Sequence, residues 1–543
     1  MKVAYFDTNK ETVMVLPLLQ RAGCVESLVD RHVRAGRGER TALIECSSEG
    51  RRSLSYAQLA AATIRLAGEL DVELGGCRAQ QRIAIVGSST LETLCIWLAA
   101  MRAGHLPFLV HPDLGDDAYD LLFSDFDPAR VFRDRTARVR HGLDLRPVDE
   151  AGLERREVAA ACMAIRREPG ADTDTGPDLR AAFCLASSGS TGRPKICVHS
   201  HHAVASFERH VTGPMWRLRD DDIVLGTSGP YFSFGLQGIH PALSIGATSV
   251  LLPGWQSHDE FLAAIEAERV SVFLAVPTLY HLLMARAKRP FRLDSLRLCL
   301  AAGERLPAVV RERWEAFSRA PMLDSIGTTE TFLPYLSEVA GVASGLREVA
   351  AFGYEWTAAG GDPDTGAYGS AGALDDASVL RVTGDALMLG CFRPGESAAY
   401  QPQGPTFDPG DLFARAGDGW RFLSRRSERT KVAGHWVSPQ DLEEFLLADP
   451  RVVKAAALPV ETPEGLVRLR AFIVLDVPEY CAAHIVDDMI RRIQRELKPG
   501  ALRPDRIEVV RDLQSTPSGK LRREALHVAP QNGTGCVLSG PRR

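Results

Sequence analysis

Apolar residues along this chain recur at two spacings, and the alternation between them sets the expected architecture. Arg82–Val86 carries a continuous apolar run that predicts a buried strand, Leu91–Arg102 has a helical period stopped by Gly104, and Leu106–Val110 is a second strand-like run. The rhythm returns at Asp259–Glu268, where Phe261, Leu262 and Ile265 share one helical face. A strand is expected over Val270–Val276, and Pro277 stands where a further helix would begin. Such strand–helix alternation predicts an α/β fold, a mostly parallel sheet covered by helices. Between Arg425 and Val528 the pattern is self-contained. Ser438 is placed to cap a helix with Pro439 in its first turn, and Glu443–Ala448 continues it. Strands are expected at Val452–Leu458 and Arg470–Leu475, then a helix with Val486, Met489, Ile490, Ile493 and Leu497 on one face. About a hundred residues suffice for a separate small domain, so two units are expected, 1–424 and 425–543. Glu168–Arg180 and Ala358–Asp376 are polar, Gly- and Asp-rich and read as irregular segments, and Ala529–Arg543 has no period and is expected to fray.

Composition narrows the class. With 64 basic against 69 acidic residues the net charge is −5, too balanced for the basic footprint that nucleic-acid binding needs. The 11 cysteines are dispersed, Cys184 and Cys197 being among the nearest pairs, which removes paired metal-ribbon and redox spacings and fits buried thiols in a reducing compartment. The short apolar run Val13–Leu19 is interrupted by Pro17 and lacks a cleavage signature, and no apolar stretch reaches the ~18 residues of a spanning helix. A cytosolic protein with no membrane partner is expected.

The chemistry concentrates in a few segments. Ala186-Ser-Ser-Gly-Ser-Thr-Gly-Arg-Pro-Lys195 lies between the apolar runs Ala181–Leu185 and Ile196–His199. Its glycines let backbone approach an anion, its hydroxyls and N–H groups suit phosphate oxygens, and Lys195 adds charge. It lacks the Gly-Lys-Ser/Thr ending of a Walker loop and leads into a strand, and taken alone it is as readily a flexible hairpin turn. Leu323-Asp-Ser-Ile-Gly-Thr-Thr-Glu330 adds a turn, a hydroxyl pair and a carboxylate suited to Mg²⁺. Phe407-Asp-Pro-Gly-Asp-Leu-Phe413, Asp418–Arg425, Lys431–Pro439 and Thr516-Pro-Ser-Gly-Lys520 follow in order.

Taken together these segments resemble the adenylate-forming superfamily of acyl-CoA synthetases, adenylation domains and luciferases, from about Cys24 to Leu526. Leu54–Leu59, Leu98–Pro107, Tyr231–Gly238 and Ala301–Pro307 support it, and the last two with the Lys431–Pro439 run make the chain most similar to benzoate-type aryl-CoA ligases. The resemblance implies a large N-terminal domain with a small β-barrel-like unit and a small, mobile α+β C-terminal domain. It implies that Ser187, Ser188, Gly189, Ser190, Thr191, Gly192 and Lys195 hold the β- and γ-phosphates of ATP, that Thr329 bonds the α-phosphate and that Glu330 binds Mg²⁺. Gly303, Glu304 and Asp324 would line the adenine site, Asp411 with Arg425 would take the ribose hydroxyls, and Lys520 would reach the α-phosphate and the attacking carboxylate. Two anions must meet in line there, so positive charge is required where the transferring phosphoryl group gains it. The chain departs from the family at Pro409, where Thr is usual before Gly-Asp, and at the hinge position, Ser427, where Asp or Lys is usual.

The same resemblance places Phe234, Gly235, Ala302, Gly327, Leu333 and Tyr335 around the acid. Tyr231–Gly235 carries no acidic residue to pair an α-ammonium group, which disfavours amino acids, so a flat aromatic acid is expected. His240, His199, His201 and His202 are read as hydrogen-bonded core histidines rather than metal ligands. The expected reaction is ATP-dependent formation of an aryl adenylate followed by transfer to coenzyme A, with Lys431, Gly434, His435 and Trp436 presented to the thiol after the small domain turns. Alternatives are loading of the acid onto a separate acyl carrier protein, a long-chain acid as substrate, or a protein that binds an acyl adenylate without turnover. Whether the chain is a monomer or a homodimer is open.

Overall fold

A computed structural model describes residues 17–75, 79–139, 142–148, 153–168, 176–187, 194–254, 257–342, 345–359, 377–462, 465–477, 482–514, 526 and 537–539. Ser188, Gly189, Ser190, Thr191, Gly192 and Lys520 lie outside them, as does most of Ala358–Asp376.

The expected strand–helix–strand unit forms at Arg82–Val86, Leu91–Arg102 and Leu106–Val110. The two strands pair in parallel, Ala84 opposite Phe108 and Val86 opposite Val110, and all five residues of the second are buried. They sit in an eight-stranded sheet whose order is Glu396–Pro402, Gly390–Arg393, Lys195–Ser200, Ala181–Ser187, Leu106–Val110, Arg82–Val86, Arg130–Arg133 and Leu143–Asp144. A nine-stranded sheet is parallel through Thr41–Ser47, Thr248–Leu251, Ile223–Gly226, Val272–Ala275, Leu298–Ala302 and Met322–Gly327, with antiparallel strands at both edges. Near-continuous apolar runs are what such strands require, because helices cover both faces. One apolar core joins the helices Tyr56–Glu73 and Leu91–Arg102 to both sheets and encloses Trp97, Trp216 and Phe332.

A third, smaller unit is a five-stranded antiparallel sheet of Gly353–Ala358, Ala377–Thr383, Asp411–Ala416, Gly419–Arg425 and Thr406–Phe407. The chain then passes through a single 3₁₀ turn, Arg426–Glu428, with Ser427 exposed, into the C-terminal unit. There a hairpin, Thr430–Val432 with His435–Val437, precedes the helix Pro439–Leu447. Val452–Glu461 pairs with Val467–Leu475, and the helix Ala482–Glu496 packs into the same core. Two expectations are corrected here. Ser438 is the residue before the helix, but its hydroxyl caps nothing and has no partner among the described residues. Within the segment expected to fray, Val537–Ser539 pairs with Pro504–Val509, an edge strand too short to leave a period in the sequence. No described helix is long and apolar enough to cross a membrane, and the eight described cysteines are all free.

Candidate active site

In a parallel sheet the segments following the strands emerge at one edge, where ligands of open α/β sheets bind. Ile223–Gly226 leads to the short helix Ser233–Gln237, Leu298–Ala302 to Gly303 and Glu304, and Met322–Gly327 to Thr328–Leu333. In the second sheet Ala181–Ser187 leads into residues 188–193, and Lys195 returns directly opposite Ser187. The Ser187 hydroxyl is buried beside Cys197, and Lys195 is exposed.

The Thr328–Leu333 turn joins the two sheets. The Thr331 hydroxyl bonds the carbonyls of Thr328 and Leu333 at 3.1 and 2.8 Å. Phe332 takes a left-handed φ of 57° and drives its ring between Phe183, His199 and His240, at centroid distances of 5.1, 5.3 and 5.0 Å. A bulky residue in that conformation costs about 1 kcal/mol, which ring burial offsets. Met388 N–H donates to the Glu330 carbonyl at 2.9 Å while the adjacent Leu389 N–H donates to Val198 at 2.8 Å, so Glu330 is tied to the strand that follows the phosphate-loop segment. Burial, and after it the Glu330 carboxylate, push the Cys197 thiol well above its ordinary value. Cys197 lies two residues from Lys195, so the two expected phosphate-binding segments are neighbours.

Asp411 starts its strand directly opposite Arg425, with Oδ1 3.3 Å from Arg425 Nε. It is positioned by a tight turn: Gly410 is left-handed, its N–H donates to Asp408 Oδ1 at 2.7 Å, and Arg426 N–H donates to its carbonyl at 2.8 Å. Burial pushes the Asp411 carboxyl up to about 6 against the opposing pull of Arg425 and the Tyr335 hydroxyl. Burial acts to lower Arg425, but Asp411, with smaller contributions including Glu330, holds it above its ordinary range. Asp411, Arg425, Glu330 and the Ser187–Lys195 strand ends therefore form one neighbourhood.

Asp324 adjoins Ala301 across the sheet, its backbone N–H donates to Glu338 Oε2 at 2.8 Å, and its own Oδ1 is shut off from solvent without a partner among the described residues. Gly303 has φ +86°, and Glu304 Oε2 accepts from Thr278 Oγ1 at 2.7 Å. On the acid side, a Cβ added to Gly235 would lie 1.8 Å from the Gly229 carbonyl oxygen, and one added to Gly327 would lie 3.0 Å from that of Leu333. Gln237 Nε2 donates to the Phe332 carbonyl at 2.8 Å, tying the helix that carries half-buried Phe234 to the Glu330 turn. Ala302 and Leu333 are buried nearby on the adjoining strand end and turn.

Two departures from the sequence reading follow. Tyr335 does not face an acid slot: it is fully buried and its hydroxyl donates to Asp411 Oδ2, because alternation along Pro334–Ser337 turns it to the other side of the sheet from Pro334. His199 and His240 are in the core but not hydrogen-bonded. Both ring nitrogens of each lack a partner among the described residues, and burial pushes both down to about 3, so they pack as neutral rings on Phe332. His201 and His202 do have partners, Cys24 N–H and the Ser206 hydroxyl. Lys431, Gly434 and His435 are exposed on the hairpin Thr430–Val432/His435–Val437, and Trp436 is half-buried beside them, with its carbonyl held by Arg429 at 2.7 Å. Sequence reasoning also passed over His111, which follows a strand of the eight-stranded sheet and whose ring lies 4.4 Å from that of Tyr231, after a strand of the nine-stranded one; 120 positions separate them, and no local signal links them.

A family model described as AMP-binding enzyme matches residues 29–353, and one described as AMP-binding enzyme C-terminal domain matches residues 441–520. The chain is 30% identical over 541 residues to a 4-hydroxybenzoate–CoA/benzoate–CoA ligase of Rhodopseudomonas palustris, covering 97% of each chain. It is 28% identical to a benzoate–CoA ligase of Thauera aromatica, covering 96% of this chain and 98% of that one. Its fold superposes on crystal structures of a benzoate CoA ligase from Burkholderia xenovorans LB400 with a TM-score of 0.72, at 25% identity over 92% of this chain and 99% of that one. An anthranilate CoA ligase in complex with anthranoyl-AMP has the same fold, with a TM-score of 0.77 at 21% identity over 93% and 96% of the two chains.

Proposed function

The chain belongs to the AMP-binding enzyme family, and from that premise we propose that it activates an aromatic carboxylic acid with ATP and passes the acyl group to coenzyme A, giving an aryl-CoA thioester, AMP and pyrophosphate. The observation that carries this reading is the proximity of Glu330, the Ser187–Lys195 strand ends and the Asp411–Arg425 pair, although 81 to 238 positions separate these groups. The similarity to benzoate and hydroxybenzoate ligases over nearly the whole length supports an aromatic acid and coenzyme A.

On this reading ATP has its β- and γ-phosphates on the Ser187–Lys195 segment and its ribose on Asp411. Thr329 donates to the α-phosphate, and Asp324, Gly303 and Glu304 flank the base. A carboxylate held between Phe234, Ala302 and Gly327 attacks the α-phosphorus in line, and pyrophosphate leaves. Lys195 and Lys520 supply the positive charge that the pentavalent phosphorus gathers. Mg²⁺ is a hard cation that takes few protein ligands beside substrate phosphates, which suits a single carboxylate such as Glu330, and it would offset phosphate charge there. Water is kept from the adenylate by the apolar wall around Phe332. Rotation about Ser427 then exchanges Lys520 for the Lys431–Trp436 hairpin, and the thiolate attacks the acyl carbonyl, expelling AMP.

The test is acid-dependent exchange of labelled pyrophosphate into ATP over benzoic, hydroxybenzoic, aminobenzoic, cinnamic and alkanoic acids, repeated as thioester formation with coenzyme A alone. Exchange with benzoic acids and thioester without any carrier protein are expected. Exchange without thioester would turn the reading toward a carrier-loading enzyme, and no exchange would overturn it.

A further inference from the structure

Tyr335 stands in the nine-stranded sheet and Asp411 in the five-stranded one, so the bond from the Tyr335 hydroxyl to Asp411 Oδ2 is a strut between two independently built units. The strut is itself braced. The Tyr335 carbonyl accepts from the Tyr354 hydroxyl at 2.6 Å, and Tyr354 takes the Val349 N–H at 2.7 Å. Asp411 is 1% exposed, and its two oxygens have different fates. Oδ2 is satisfied by the tyrosine, while Oδ1 has no hydrogen bond among the described residues and faces Arg425 Nε at 3.3 Å. A carboxylate so divided has its plane fixed by one partner and leaves the other oxygen, shut off from solvent beside Arg425, as an unfilled acceptor. Arg425 cannot perform the first task, because its contact is with the unfilled oxygen.

We propose that Tyr335 is a positioning residue for the nucleotide: its buried hydroxyl fixes the Asp411 carboxylate so that Oδ1 accepts from a ribose hydroxyl. The inference rests on the assignment of Asp411 to the ribose, and it moves Tyr335 from the acid to the ATP side of the reaction. A donor to a carboxylate favours its charged form, and burial already pushes the Asp411 carboxyl up to about 6 with that donor present. Without the hydroxyl the group would lose both its orientation and part of its charge near neutral pH. Phenylalanine at 335 keeps the ring volume and removes only the strut.

The experiment compares Tyr335→Phe, Tyr354→Phe and Asp411→Asn with the parent, using benzoate as the acid and ATP, 2′-deoxy-ATP and 3′-deoxy-ATP as nucleotides. In Tyr335→Phe the KM for ATP is expected to rise about tenfold, as for loss of a hydrogen bond to a charged group. The KM for benzoate should stay within twofold, and the preference for ATP over the deoxynucleotides should fall several-fold. Tyr354→Phe removes a half-buried hydroxyl from the same brace without touching Asp411 and should leave that preference unchanged. If Asp411→Asn collapses the preference while Tyr335→Phe retains it, or if both tyrosine variants lower it equally, Tyr335 is core packing and the proposal is overturned. If Asp411→Asn retains it, the ribose assignment itself fails and the proposal falls with it.

Discussion

Asp324 shows how a single buried carboxyl can tie stability to pH. Burial, and after it the Glu338 carboxylate, push Asp324 up to about 7, with Arg311 opposing from 2.7 Å of Glu338 Oε2. An unfolded aspartate titrates near 4, so folding takes up a proton at this site between about pH 4 and pH 7. Its folded value is raised, so the cost is absent below the unfolded value, grows as pH climbs toward the folded one and is constant above it. Asp324→Asn removes the titration. Relative to the parent, its melting temperature without nucleotide is expected to be unchanged near pH 4 and about 3 °C higher by pH 7.5. Melting curves across that range check it, and a pH-independent difference would sink the assignment. At this scale the sequence showed which residue types were present but not their partners. Asp411 was legible from its Gly-Asp context, whereas its bond to Tyr335 was not, because 76 positions and a change of sheet lie between them.

Elements bring those residues within reach, and here glycine pairs matter most. The helix Ser233–Gln237 is only five residues long and is held by close approach rather than by its own length. Gly235 rests on the Gly229 carbonyl so tightly that an added Cβ would lie 1.8 Å from it and 2.8 Å from the Ser228 carbonyl oxygen. Backbone cannot yield that distance locally, so Gly235→Ala should push the helix, and Phe234 with it, by about 1 Å, a displacement that can cost on the order of 100-fold. The expected result is a loss of about that size in kcat/KM for benzoate with nucleotide affinity within twofold. Pyrophosphate exchange and calorimetric ATP titration measure the two, and activity within threefold of the parent would refute the contact's role. Long apolar runs closed by a stop residue were read accurately, as at Arg82–Val110, because a strand buried on both faces has no polar alternation to blur it. The antiparallel strands between Gly353 and Arg425 gave no comparable signal. They are short and half-exposed, and their partners are set by contacts such as Trp356 stacked 3.5 Å from Trp420.

At the scale of the whole molecule, the C-terminal unit is held to the large one by a small set of directional contacts on an apolar patch. Arg305 reaches Asp441 at 2.5 Å and Glu444 at 3.0 Å. Arg313 donates to the carbonyls of Leu447 and Ala448 at 3.2 and 2.8 Å, meeting the negative end of the helix Pro439–Leu447. His281 Nε2 lies 3.1 Å from the Val452 carbonyl oxygen, and Leu282 packs with Val453, Ala456 and Phe472. Half-exposed ion pairs contribute only about 0–1 kcal/mol each, so the two arginines together should supply roughly 1–2 kcal/mol, enough to bias a rotation without locking it. In Arg305→Ala/Arg313→Ala the undocked population should therefore rise about tenfold. The Arg425–Lys431 connection offers trypsin several cleavage sites around exposed Ser427. When docking is fast relative to cleavage, proteolysis tracks the open population. Cleavage there is expected to accelerate about tenfold while the large unit's melting temperature stays within about 2 °C of the parent. An unchanged cleavage rate would mean that the apolar patch around Leu282 alone holds the two units together, and that the arginines take no part in setting their orientation.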